Sequence, residues 1–447
     1  MRFRGLLIAV ATLALLAGAV YWSNRAERAK EGKPAPDAPP QILSLAADQI
    51  QRIEIRSAAG EPTALQRNAA GNWEMVTPPR WPVDQDAAGA IASTLSSLAS
   101  ERLVEEKVSD LGQFGLASPA VETTAGLKDG KSRKLLIGDD SPAGGGSFVK
   151  LDGDARIFTI AAYNKAALSK TPRELRDKRL MVFDPEKLAR VEFSAKGQTV
   201  EFGKNSLNEW QIIKPQPLRA DGTQVDDLVR ALEGARMELS ASDEQDKKNA
   251  AAFAGATPVA IARVTDASGT KQLEIRRDKD KNCFARASTV EGVFSVASEL
   301  ADRLDKALAD FRNKKLFDFG FSDPGKVEIR DGTKQTAYQK LPDKWMSGPT
   351  QVDATTVNNL IDKLRELAAT RFVERAFPAP FFEATVTSDN GKRVEKVLIA
   401  REATSFFARR ENEPVVYELD GKAVEELQKA ASDVRAYQPP KPEAKKK

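Results

Sequence analysis

The sequence predicts an α+β protein: one N-terminal transmembrane helix, then three tandem copies of a mainly antiparallel β module with two helices per copy. Three observations lead to this class. An uncharged apolar run spans Gly5 to Trp22, a tryptophan recurs at a near-constant interval, and β-branched residues alternate with polar ones ahead of each tryptophan.

The apolar run GLLIAVATLALLAGAVYW is nearly long enough to cross a ~30 Å hydrocarbon layer. Arg2 and Arg4 precede it, and Tyr21 with Trp22 would sit at the far interface. The expectation is a single-pass inner-membrane protein anchored in lipid through residues 1–22, with the bulk of the chain periplasmic. Ala17-Gly18-Ala19 also fits a signal-peptide cleavage site, and either reading exports the remainder. Residues 23–41, rich in Lys, Glu, Ala and Pro, form a solvated spacer.

The repeat is read from Trp73, Trp210 and Trp345, spaced by 137 residues (73 to 210) and 135 (210 to 345). After each comes a proline-bearing loop and an aspartate, Asp84, Asp221 or Asp353, suited to cap a helix because its carboxylate accepts from first-turn amides. Apolar residues then fall on one helical face: Ile91, Leu95, Leu98; Leu228, Leu232, Ala235; Leu360, Leu364, Leu367. Ahead of each tryptophan, Ile53-Glu54-Ile55, Val191-Glu192-Phe193 and Val327-Glu328-Ile329 read as strands. Asp129-Gly130, Asp152-Gly153, Ser268-Gly269 and Asn390-Gly391 mark hairpin turns. Second helices start near Ala161, Ala297 and Gly421. The predicted modules are 42–180, 181–316 and 317–437, followed by a Lys/Pro tail over 438–447.

With Asp110-Leu111-Gly112-Gln113-Phe114-Gly115-Leu116-Ala117-Ser118-Pro119 ahead of a strand and Leu175 to Leu180 at the joint, the chain resembles the bacterial family numbered 4340 among domains of unknown function. The second copy keeps only Phe253-Ala254-Gly255 and Pro258 of that element, and the third reduces it to Phe377-Pro378-Ala379-Pro380. The resemblance implies membrane-anchored, exported proteins, often encoded beside gliding-type ABC-transporter components. It carries over no catalytic residue.

Composition excludes several chemistries. The chain has no histidine and one cysteine, Cys283, which rules out Ser-His-Asp triads, histidine-containing zinc sites and four-cysteine clusters. A net charge of +4 over 447 residues gives no case for a nucleic-acid partner. Gly126 to Ser132 mimics a phosphate loop but lies in a hairpin rather than before a helix, so no nucleotide is expected. Ser147-Phe148-Val149-Lys150 and Ser388-Asp389-Asn390 mimic acyl-enzyme motifs, yet the K-T-G element is absent and Ser147 opens a strand-like run. The expectation is therefore a non-enzyme without catalytic, metal or cofactor sites.

Two features remain. Trp73, Trp210 and Trp345 read as core markers of the repeat, the competing reading being stacking platforms for sugars. The joints carry Arg176, Lys178, Arg179 and Arg312, Lys314, Lys315, which read either as helix-terminal cations or as contacts for a partner. The functional expectation is a non-catalytic extracytoplasmic accessory or scaffold protein of an envelope or ABC-transporter-linked assembly. The alternative is a module that binds cell-wall or polysaccharide ligands.

Overall fold

The computed structural model describes residues 40–58, 60–142, 144–321 and 324–439. Period-two burial builds three antiparallel sheets, in which Ile53 and Ile55, Val191 and Phe193, and Val327 and Ile329 point into cores. The first sheet contains β1 (Ile50–Ser57), β2 (Thr63–Arg67), β3 (Trp73–Thr77), β4 (Arg102–Glu105), β5 (Val121–Leu127), β6 (Ser132–Asp140), β7 (Gly146–Leu151) and β8 (Ile157–Ala161). Its order is β3-β2-β1-β5-β6-β7-β8-β4. Two meanders thus join along their first strands, with α1 (Gln85–Ser96) in the connection and α2 (Ala162–Leu168) after β8.

The second sheet contains β9 (Arg190–Ala195), β10 (Gln198–Lys204), β11 (Trp210–Lys214), β12 (Leu218–Arg219), β13 (Thr257–Asp266), β14 (Gly269–Arg277), β15 (Cys283–Ala287) and β16 (Val290–Val296). The order β12-β11-β10-β9-β13-β14-β15-β16 repeats the joined meanders, accompanied by α3 (Gly222–Glu233), α4 (Asp243–Gly255) and α5 (Ser298–Leu304). The third contains β17 (Lys326–Asp331), β18 (Lys334–Lys340), β19 (Trp345–Ser347), β20 (Thr350–Val352), β21 (Ala369–Val373), β22 (Pro380–Ser388), β23 (Arg393–Glu402), β24 (Ser405–Arg410) and β25 (Val416–Leu419). It runs β20-β19-β18-β17-β22-β23-β24-β25-β21, with α6 (Ala354–Glu366) and α7 (Gly421–Ser432).

The hairpin dipeptides sit where their chemistry requires. Gly130 and Gly153 adopt φ of 80° and 81°, which a Cβ would disfavour. Asp84, Asp221 and Asp353 each precede a helix and accept from first-turn amides, at 3.0 Å from Ala87, 3.2 Å from Gln224 and 2.9 Å from Thr355. The predicted apolar faces of α1, α3 and α6 are all buried.

The described residues divide into two compact units. One ends at Arg179 and takes in Arg236–Lys247; the other comprises Leu180–Ala235 and the chain from Lys248.

The expected fold class and location need correction. The described chain is mostly antiparallel β, with seven α-helices among the described residues and three of them in the second copy rather than two. None is long and apolar enough to cross a membrane. The longest have 13 residues, about 20 Å at 1.5 Å per residue, against the ~30 Å needed. The expected transmembrane helix over 1–22 lies outside the described residues, as do most of the 23–41 spacer and of the 438–447 tail. Single-pass anchoring of the described residues in the inner membrane, and lipid contact through them, are therefore unsupported.

Helix α6 separates two contributions to stability. Leu364→Ala, at a fully buried position, is expected to cost about 2–5 kcal/mol, and Asp353→Ala about 1 kcal/mol through its lost cap. Urea unfolding of both variants checks this. An Asp353→Ala cost as large as the leucine's would mean that the carboxylate does more than cap.

Candidate functional site

The joints form extended straps whose backbone is bonded on both sides. In the first unit, Asp84 N–H donates to Leu175 O at 2.9 Å, Asp177 N–H to Pro82 O at 2.8 Å and Met237 N–H to Lys178 O at 2.8 Å. In the second, Asp221 N–H donates to Phe311 O at 2.8 Å, Asn313 N–H to Arg219 O at 3.0 Å and Ala369 N–H to Lys314 O at 2.8 Å. The end of the third copy repeats the pattern, with Asp353 N–H on Arg435 O and Tyr437 N–H on Gln351 O, both at 2.9 Å.

This geometry separates the six joint cations. Lys178, Arg179, Lys314 and Lys315 are exposed, and Asp177 holds Arg179 through both carboxylate oxygens. Arg176 is 5% exposed, with its guanidinium 4.9 Å from the Trp81 ring, and burial depresses its pKa. So buried a side chain is a poor partner contact, which leaves Lys178 and Arg179 as the exposed cations of that joint. Arg312 is half-buried, its guanidinium 3.5 Å from the centre of the Phe372 ring.

Trp73, Trp210 and Trp345 are 3%, 8% and 4% exposed. Each opens its strand opposite a cation, in the pairs Arg67 with Trp73, Lys204 with Trp210 and Lys340 with Trp345. These cations lie 4.3, 5.0 and 5.9 Å from the rings. Trp210 also donates through Nε1 to Asp226 at 2.8 Å. Their low exposure makes these rings part of the cores, with Trp73 and Trp210 also bordering clefts.

In the second unit, a group of charges from distant positions in the chain meets beside the strap Arg312–Leu316. Arg219 Nη1 donates to Asp318 Oδ2 at 2.6 Å, and its Nε lies 3.0 Å from Glu413 Oε1. Arg410 Nε lies 2.9 Å from the same Glu413 oxygen, while its Nη2 donates to Glu395 Oε1 at 3.1 Å. Asn313 Nδ2 and the backbone N–H of Asp318 donate to Asp318 Oδ1 and Glu395 Oε1, each at 2.8 Å. Tyr417 closes the group by donating to Glu413 Oε2 at 2.5 Å.

Burial pulls the Arg219 guanidinium down, but Asp318, Tyr417 and Glu413 more than restore it. Burial pushes Tyr417 up to about 12. Glu395 is raised by burial despite Arg410, and its Oε2 has no hydrogen-bond partner among the described residues. Such a group is costly to break, since removing one member strands a buried charge.

Two clefts of about 500 Å³ flank Arg219 and Asn313. One is polar and reaches Glu209, Trp210 and Asp226; the other is lined by Leu218, Arg312, Phe372, Pro414 and Tyr417. The first unit has a cleft of about 650 Å³ at the matching place, between Trp73, Trp81, Asp177 and Arg179. Sequence reasoning missed Arg219, Asp318, Glu395, Arg410 and Glu413, which share no local motif.

The motif mimics are occupied otherwise. Ser147 lies in β7 and donates to Asp140 at 2.6 Å, and Lys150 donates to Leu151 O at 3.3 Å. Ser388 is buried at the end of β22, and Gly126 to Ser132 spans the β5–β6 hairpin. Cys283 is buried. Among the described residues no group of three or more acidic or cysteine side chains is placed to hold a metal.

Glu395 makes the group sensitive to pH. Its folded carboxyl holds a proton to higher pH than the unfolded one, so its contribution favours folding at low pH and is lost as pH rises through the raised pKa. Glu395→Gln removes this titration. Relative to the parent, the variant should therefore gain stability from the ordinary glutamate range, ~4.3, towards neutrality. Urea midpoints across that range check it, and a parent–variant difference flat in pH would refute it.

No curated protein and no solved structure matches the chain. A family model described as a domain of unknown function, DUF4340, matches residues 73–209 and 210–381, well over half of the chain. Its two segments begin at Trp73 and Trp210, the residues that open β3 and β11. The twofold match, its phase on the repeated tryptophans and its extent show that the chain belongs to the DUF4340 family.

Proposed function

We propose that the chain is a non-catalytic scaffold or accessory protein that binds acidic protein partners through its straps. The observation that carries this reading is the way the exposed cations are presented. Lys178 and Lys314 have backbone carbonyls fixed by Met237 and Ala369, so their side chains project from rigid, two-sided straps rather than from loose loops. Lys178, Lys314 and Lys315 make no ion pair among the described residues. A charge carried on a held backbone loses less freedom on binding than one on a mobile loop, which favours its use in recognition. The family resemblance implies transporter components as the partner class.

The test uses the full chain in its native host, with a photo-crosslinking residue in place of Lys314. A discrete adduct with an acidic protein is expected. Lys178→Glu combined with Lys315→Glu should lower its yield ~10-fold, which corresponds to ~1.4 kcal/mol. Stability should change by less than ~0.5 kcal/mol per exposed site. An adduct indifferent to charge reversal, or none at all from a folded chain, would reject the proposal.

A further inference from the structure

We infer that the cleft where Arg312 meets Phe372 binds an acidic, apolar peptide segment of a partner protein, with the Arg312 guanidinium receiving its carboxylate. This rests on the reading of the chain as a protein-binding scaffold, and adds a site and a ligand chemistry to it.

The other arginines beside the cleft already have counter-ions. Arg219 and Arg410 are ion-paired with Asp318, Glu413 and Glu395 and also donate to backbone carbonyls. Arg312 lies over the Phe372 ring, 3.5 Å from its centre, a distance that fits stacking, and makes no side-chain hydrogen bond or ion pair among the described residues. A stacked guanidinium keeps its in-plane N–H fork available, and that fork matches a carboxylate. Burial depresses its pKa, with Tyr417, Glu413 and Glu374 acting in the opposite direction. Of these, Glu413 is already held at both oxygens by Arg219, Arg410 and Tyr417. Glu374 is exposed just beyond β21. A half-buried cation without its own counter-ion, at the wall of a cleft of about 500 Å³, is a receptor for an external anion.

The rest of the cleft selects what carries that anion. Phe372, Pro217, Leu218, Pro414 and Val415 supply an apolar wall. Gln211, Gln216 and Asn412 also line it, and a primary amide offers both a donor and an acceptor, as an extended backbone requires. A carboxylate, an apolar side chain and a peptide backbone are therefore all matched in one place. The corresponding strap residue of the first unit, Arg176, is buried at its ring and offers no such receptor.

Panning a displayed library of random heptapeptides on the full chain tests the inference. Enriched sequences should place Asp or Glu beside an apolar or aromatic residue. Synthetic versions should lose at least ~10-fold in affinity, ~1.4 kcal/mol, for Arg312→Gln. Gln216→Glu puts a competing carboxylate in the cleft while leaving the arginine on its ring, and should weaken the same peptides even if Arg312→Gln fails to fold. Selected peptides without acidic residues, or peptides indifferent to Gln216→Glu, would overturn the site. Phenylacetate competing as well as the free peptide would assign the cleft to small carboxylates and overturn the peptide as occupant. If no peptide binds but the Lys314 adduct survives, the cleft inference fails and the scaffold reading stands. Peptide binding without any adduct has the opposite meaning: the cleft inference stands and the straps lose their role.

Discussion

Each helix that follows a tryptophan hairpin begins at an aspartate with two tasks. The carboxylates of Asp84, Asp221 and Asp353 cap α1, α3 and α6, while their backbone N–H groups hold the carbonyls of Leu175, Phe311 and Arg435 at the end of the same copy. The start of the helix is thereby tied to the point where the chain leaves its sheet. Helix phase, strap position and the direction of the side chains on the strap become one constraint. The placement of Lys314 and Arg312 follows from it, because the strap that carries them is pinned at Asp221 before the first cation and at Ala369 after the second.

Electrostatics then distinguishes equivalent places. The carbonyl that receives the second strap bond belongs to Pro82, Arg219 or Gln351 in the three copies. Of the three, Arg219 alone brings a cation, and it is the residue around which Asp318, Glu413 and Arg410 gather. A guanidinium in that position needs carboxylates close by, since desolvation without pairing costs several kcal/mol. Asp318 lies just beyond the strap and Glu413 just beyond β24, so the demand is met from two separate segments of the second unit.

The division between what is legible in the sequence and what is not follows from the range of the interactions. Local rules expose the tryptophans, the capping aspartates, the helix faces, the leading strands and the hairpin turns, since each depends on residues a few positions apart. The extra helix α4 escapes those rules because its run of Asp, Glu, Gln and Lys shows little apolar periodicity, with Phe253 the one large apolar side chain it buries. Arg219 looks like any other surface arginine, and nothing in the sequence near 219 announces residues 318, 395, 410 and 413. A run of cations is normally exposed, whereas Trp81, far away in sequence, covers Arg176.

Arg176 and Arg312 show how repetition and function can part company within one architecture. Both occupy the strap position that bridges to the residue before a capping aspartate, Val83 or Ala220, so the backbone treats them alike. Their rings differ in origin. Trp81 belongs to the loop ahead of α1 and is faced by both Arg173 and Arg176, and Arg173 is itself held by Ser240 and Asp246. That arrangement closes over Arg176. Phe372 belongs instead to β21, in the third sheet, and its ring lies under the Arg312 guanidinium at a cleft that both residues line. The repeat fixes where the guanidinium stands, and the aromatic residue that reaches it decides whether the charge is enclosed in the fold or offered to a partner.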